Sequence, residues 1–235
     1  MKKKLDVLFF NIFLIIFLEI VFKASTIGEV FSLNLFYMIL FSVPIAIILT
    51  ILETMFKKEK VNRIITIVVT VLIEIIFIAQ FVYFKYYDAI FSVYSLFHGG
   101  QVLEFVGGII NVMLRNIFPI ILMLLPMIIP IIKKIPFNYE WKDYFNKGMY
   151  LLIAFFVFIA SLIVIELEKE NSYSAHRLYY ETHVPMLTVS KFGLITTMRL
   201  DLKRTITGFE EVLIIEPTTD DSEPIEIPED RKSVV

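Results

Sequence analysis

Cysteine is absent from the 235 residues, which excludes disulfides, thiolate metal sites, cysteine nucleophiles and a lipid-modified cysteine anchor. Histidine is scarce, with only His98, His176 and His183 present. His98 stands alone beside Gly99 and Gly100, with nothing nearby to complete a metal site. His176 and His183 sit near Glu181 in AHRLYYETH, where the polar context and Pro185 point to a stalk surface. The motifs G-x-x-x-x-G-K-S/T, G-x-G-x-x-G, G-x-S-x-G and H-E-x-x-H are all missing. Phosphate-cradling loops, dinucleotide folds, hydrolase elbows and zincin helices therefore have no local signature. No pair of carboxylates is arranged for general acid–base work, and no internal repeat divides the chain. No catalytic, cofactor-binding or metal-binding residue is expected in this chain, and no nucleic-acid partner.

What is present is apolar. Hydrophobic residues make up 57% of the chain, with 23 Phe, and the mean hydropathy is +0.76. Soluble domains average roughly 45–50%, so the expected class is an all-α integral membrane protein. A span needs about 20 mainly apolar residues. Five stretches qualify: 5–22, 33–55, 64–84, 112–132 and 149–165. The first follows Lys2, Lys3 and Lys4, lacks a small-residue cleavage site and carries Glu19, so it reads as an uncleaved signal-anchor helix. Pro119, Pro126 and Pro130 fall in the fourth, where kinks are expected.

Positively charged loops stay in the cytoplasm. Lysine and arginine cluster at the N-terminus, in FKKEKVNR (Lys57, Lys58, Lys60, Arg63) and in KKIPFNYEWKDYFNK (Lys133, Lys134, Lys142, Lys147). These alternate with poorer segments, which places the N-terminus inside and everything after about residue 166 outside. The predicted organisation is a five-helix membrane domain over 1–165, an extracellular stalk and amphipathic interfacial helix over 166–211, and an acidic, disordered tail over 212–235. The long outer loop holds Tyr83, Tyr86, Tyr87 and Tyr94, suited to headgroup depth.

Two sets of residues stand out. Glu19, Glu74 and Gln80 are polar side chains inside predicted spans. Such groups are costly there unless paired, and they serve either a pathway or a helix contact. The second set lies in KFGLITTMRLDLKRTITGFEE, where Phe192, Ile195, Met198, Leu202, Ile206 and Phe209 recur at three and four residues as one stripe. Lys191, Arg199, Lys203 and Arg204 lie mostly away from that stripe. Such a helix either lies in the bilayer surface with its basic face on anionic headgroups, or packs its stripe against protein.

The segment order, with YSLFHGGQVLEF in the outer loop and FGLITTMRLDL at 192–202, resembles the N-terminal membrane region of the lipoteichoic acid synthase family of Gram-positive bacteria. The resemblance runs from Met1 to about Glu211. It implies a place in a sulfatase-like phosphoglycerol transferase of the alkaline phosphatase superfamily, anchored in the cell membrane. The family's threonine nucleophile and its divalent metal, usually manganese, belong to an extracellular domain beyond this stretch. Thr218 and Thr219 match no nucleophile motif, and His176 and His183 precede where that domain would begin. The implied partners are membrane lipids, with phosphatidylglycerol as donor, and a catalytic head that is missing from or separate from this chain. A stand-alone accessory protein of wall assembly is the alternative, and a small transporter using Glu74 is a third reading.

Overall fold

The computed structural model describes residues 5–28, 30, 32–92, 106–132, 137–139, 144–168, 174–181 and 184–208. The expectations for His98, His183, Phe209, the outer-loop segment around Tyr94 and the acidic tail lie outside these residues. Of the described residues 83% are helical. They form α1 (Val7–Thr26), α2 (Asn34–Glu53), α3 (Glu59–Tyr87), α4 (Val106–Arg115), α5 (Ile117–Met123), α6 (Leu125–Ile131), α7 (Tyr144–Glu166), α8 (Ala175–Tyr180), α9 (Pro185–Phe192) and α10 (Leu194–Thr207). The chain departs from an all-α reading at one point. Leu5–Asp6 (β1) pairs in parallel with Phe137–Asn138 (β2), Leu5 opposite Phe137, tying the N-terminus to the segment before α7.

Among the described residues four helical stretches are long and apolar enough to cross a membrane: Val7–Thr26, Asn34–Glu53, Glu59–Tyr87 and Lys147–Glu166. A fifth would be the pair Gly108–Arg115 and Ile117–Ile131, which bends by 77°. The chain thus has the helices of a multi-pass membrane protein.

Helix α1 runs through the larger apolar core. Asp6 starts it by accepting the Leu8 N–H at 2.8 Å, the usual role of an N-cap carboxylate. Val7, Phe10, Leu14, Leu18 and Phe22 then recur at helical spacing and are buried. They meet Phe77 and Phe81 of α3, Ile120 and Met123 of α5, and Phe137. Helix α2 packs between α1 and α7, and α3 carries α4 and α6 on its far side. Apolar side chains such as Phe9, Leu72, Phe118, Leu151 and Phe156 remain exposed around the bundle, as expected of surfaces that face lipid rather than water.

The proline breaks have specific causes. A proline lacks an N–H and its ring crowds the carbonyl four residues back. Pro119 therefore acts on Arg115, and the helix breaks at Asn116, whose side-chain amide donates to the Val112 carbonyl at 2.9 Å. Pro126 acts on Leu122, and the next break falls at Leu124. The predicted single fourth span is thus three helical pieces. Pro44 in α2 leaves the Leu40 carbonyl without its helical partner, and Ser161 of α7 reaches it at 3.4 Å. Neighbouring helices re-satisfy freed backbone groups in this way within membranes.

At the Leu124 break the Met127 N–H would be unpaired, and the buried Glu74 of α3 accepts it at 2.8 Å. Arg63 grips the other end of α6, donating to the carbonyls of Pro130 at 3.0 Å and Ile132 at 2.8 Å. Glu74→Gln keeps an acceptor at the Met127 N–H and is expected to leave stability nearly unchanged. Glu74→Leu leaves a buried donor unmet, a loss of about 1–3 kcal/mol, visible as a lower thermal unfolding midpoint in detergent.

Candidate functional site

Buried charged side chains gather where α9 and α10 meet α1. The sequence pattern predicts one continuous helix over 191–209. Instead the chain turns at Gly193, whose φ of 84° and ψ of 170° are essentially open only to glycine. A Cβ there would lie 2.7 Å from the Glu19 carboxylate. The glycine therefore supplies both the turn and the room for Glu19.

Glu19 and Lys23 stand one turn apart on α1 and share a face. They are 1% and 2% exposed, which makes them part of the core. The Glu19 carboxylate accepts the N–H groups of Leu194 at 2.7 Å and Ile195 at 2.9 Å, the first of α10. Lys23 donates to the Ser190 carbonyl at 2.8 Å, in the last turn of α9. A carboxylate thus meets the positive end of one helix dipole, and an ammonium the negative end of the other. These side chains close the backbone valences that the break opens.

A second layer ties α8–α10 to α2 and α7. Phe192 and Phe41 pack edge to face at 5.5 Å between centroids, and Tyr179 stacks on Phe41 at the same distance. Arg199 lies over the rings of Phe158 at 5.1 Å and Tyr179 at 5.6 Å, and donates to the Tyr179 hydroxyl at 2.7 Å. Arg204 donates to the Leu178 and Tyr179 carbonyls at the end of α8. Lys191 bonds Glu168, which also accepts from Tyr37 at 2.7 Å. Burial alone would push the Glu168 carboxyl up, but the hydrogen bonds from Lys191 and Tyr37 hold it below its ordinary value of 4.5.

The predicted stripe is therefore placed unevenly. Phe192 is buried, and Ile195 and Met198 pack against the bundle core, whereas Leu202 and Ile206 are exposed. The buried face of α10 is set by Leu194, Thr196, Thr197, Leu200 and Asp201. Three of the four basic residues read as solvent- or headgroup-facing, Lys191, Arg199 and Arg204, bind protein groups instead. Lys203 remains exposed. Gln80 uses both ends of its amide on Phe91, donating to its carbonyl at 2.9 Å and accepting its N–H at 3.1 Å. It pins the chain as it leaves α3.

Other residues of consequence escaped sequence reasoning. Lys23 sits four residues after Glu19, a spacing that could have flagged it. Gly193 interrupts a helical stripe, which is itself a break signal. Glu53 lies within the predicted span 33–55, so the signal that singled out Glu19 and Glu74 could have found it too. It is buried at the opposite end of the bundle, accepting from Asn11 at 3.1 Å and Thr66 at 3.2 Å, and Thr66 also meets the Tyr139 hydroxyl at 3.3 Å.

His176 lies 3.2 Å from Glu166 and 3.5 Å from Glu181. Among the described residues no group of three or more His, Cys, Asp or Glu is placed to hold a metal ion. No family model, curated protein or solved structure matches this chain.

Gly193→Ala should lower the thermal midpoint of the detergent-purified protein by strain of about 1–3 kcal/mol, with further loss from displacing Glu19. A midpoint unchanged from wild type would show that the turn is not held as described. Glu168 makes an acid-side prediction. A carboxyl depressed in the fold contributes fully above its ordinary value, and that contribution is lost as pH falls through the depressed one. Wild type should therefore lose more midpoint than Glu168→Gln on acidification below the ordinary carboxylate range, with no such divergence near neutrality.

Proposed function

We propose that this chain is the membrane anchor and juxtamembrane platform of a lipoteichoic acid synthase-like phosphoglycerol transferase in a Gram-positive cell membrane. The observation that carries the reading is the Glu19 and Lys23 clasp on the α9–α10 turn. A simple tether requires no buried charges to seize its exit. A platform that must aim a catalytic head at lipid does, because orientation as well as proximity governs such a reaction. Tethering raises the head's effective concentration at the surface where its donor, phosphatidylglycerol, resides.

No catalytic residue is assigned to this chain. The manganese or similar ion that the family uses finds no set of three acidic or histidine ligands among the described residues, so no step of the reaction runs through them. On this reading the end carrying β1, β2, Lys58 and Lys147 faces the cytoplasm, and α8–α10 lie outside.

Two measurements test the proposal. The chain has no cysteine, so single cysteines report topology cleanly. A membrane-impermeant maleimide applied to intact cells should label Lys203→Cys and not Lys58→Cys; the reverse pattern overturns the orientation. Membranes of cells that make the protein should transfer labelled glycerol phosphate from phosphatidylglycerol into polymer, and disrupting its gene should abolish that transfer. Polymer synthesis that persists unchanged overturns the family reading.

A further inference from the structure

Between α2 and α7 the bundle has a groove of about 460 Å³, within the range of roughly 300–1,000 Å³ typical of ligand sites. Its walls are Phe41, Pro44 and Ile48 of α2 and Leu151, Phe155 and Phe158 of α7. Phe41 and Phe158 meet edge-on at 6.2 Å between centroids and close one end. From Phe41 to Ile48, and from Phe158 to Leu151, is about 10 Å at 1.5 Å per residue. The walls are open sideways, with Ile48, Leu151 and Phe155 all more than half exposed.

Among the described lining residues one is charged. Arg199 reaches the groove from α10 at its closed end, held over the Phe158 ring and by the Tyr179 hydroxyl. Among the described residues no carboxylate hydrogen-bonds or ion-pairs with this guanidinium. Its fork of five N–H donors is only partly used by one phenol, and guanidinium geometry suits phosphate oxygens. A cation that pairs with no carboxylate of the described residues, at the head of an apolar slot, is the complement of an anionic amphiphile.

We infer that this groove binds one anionic phospholipid, with an acyl chain between α2 and α7 and its phosphate on Arg199. The occupant is a lipid because both walls belong to helices long and apolar enough to cross a bilayer, so lipid is the phase against the opening. It is anionic because the one formal charge among the groove's described lining residues is positive. The headgroup alcohol is not read, since Arg199 is the one charged side chain among the described lining residues. This inference rests only on the helices lying in a bilayer and is independent of the transferase reading.

The test uses the full chain in nanodiscs of equal parts phosphatidylcholine and phosphatidylserine, released into a native mass spectrometer. Wild type should retain one lipid mass, enriched in phosphatidylserine. Arg199→Gln should lose that enrichment by roughly tenfold, the scale of a charge-assisted hydrogen bond, and Arg199→Lys should recover part of it. Ile48→Trp fills the groove from an exposed wall position and leaves Arg199 in place, so it decides the matter even where Arg199→Gln fails to fold. It should lower lipid retention. Retention unaffected by both Arg199→Gln and Ile48→Trp, or no retained lipid in wild type, would each overturn the site.

Discussion

An interrupted helix in apolar surroundings leaves backbone N–H and C=O groups that water cannot reach. This chain interrupts its helices repeatedly, and the rest of the structure depends on how each break is closed. Glu74 takes the Met127 N–H at the start of α6, and Arg63 takes the carbonyls at its end. Ser161 answers the carbonyl that Pro44 frees in α2, and Lys147 donates to Thr54 beyond that helix's end. Glu19 and Lys23 do both jobs at once for the α9–α10 turn. The signs agree with the helix dipoles throughout, carboxylates at N-termini and cations at C-termini.

That constraint accounts for the partners of the polar residues inside the bundle. A glutamate inside a span invites a transport reading, yet Glu19 and Glu74 are engaged by backbone amides of other helices. Gln80 is likewise spent on the backbone of Phe91. Each holds together separate parts of the chain and so helps to fix the tertiary arrangement.

The same logic makes α8–α10 part of the bundle. Their cations turn inward, onto Tyr179, the carbonyls of α8 and Glu168. The far part of α10, with Leu202, Lys203 and Ile206, is exposed. A segment held by buried charges at one end and exposed at the other suits a fixed exit point for the chain beyond Gly208.

The sequence by itself determined the class of this protein. Runs of some 20 apolar residues are long enough to cross a bilayer as helices, and their positions could be read directly, with kinks expected at the prolines of the fourth run. That Pro119 and Pro126 come with full breaks while Pro130 stays within α6 could not. Glu19, Glu74 and Gln80 could also be singled out, because a polar residue within an apolar run is conspicuous without any structure. Their partners could not be. Hydrogen bonds such as Glu19 to Leu194 join residues 175 apart, and no local pattern encodes such a pairing. The tertiary structure decided which residues of the stripe of α9 and α10 are buried on either side of Gly193, and that Arg199 reaches the groove between α2 and α7. In both cases the reason is the same: a side chain's direction is settled by what packs against it, and periodicity records only which residues share a face.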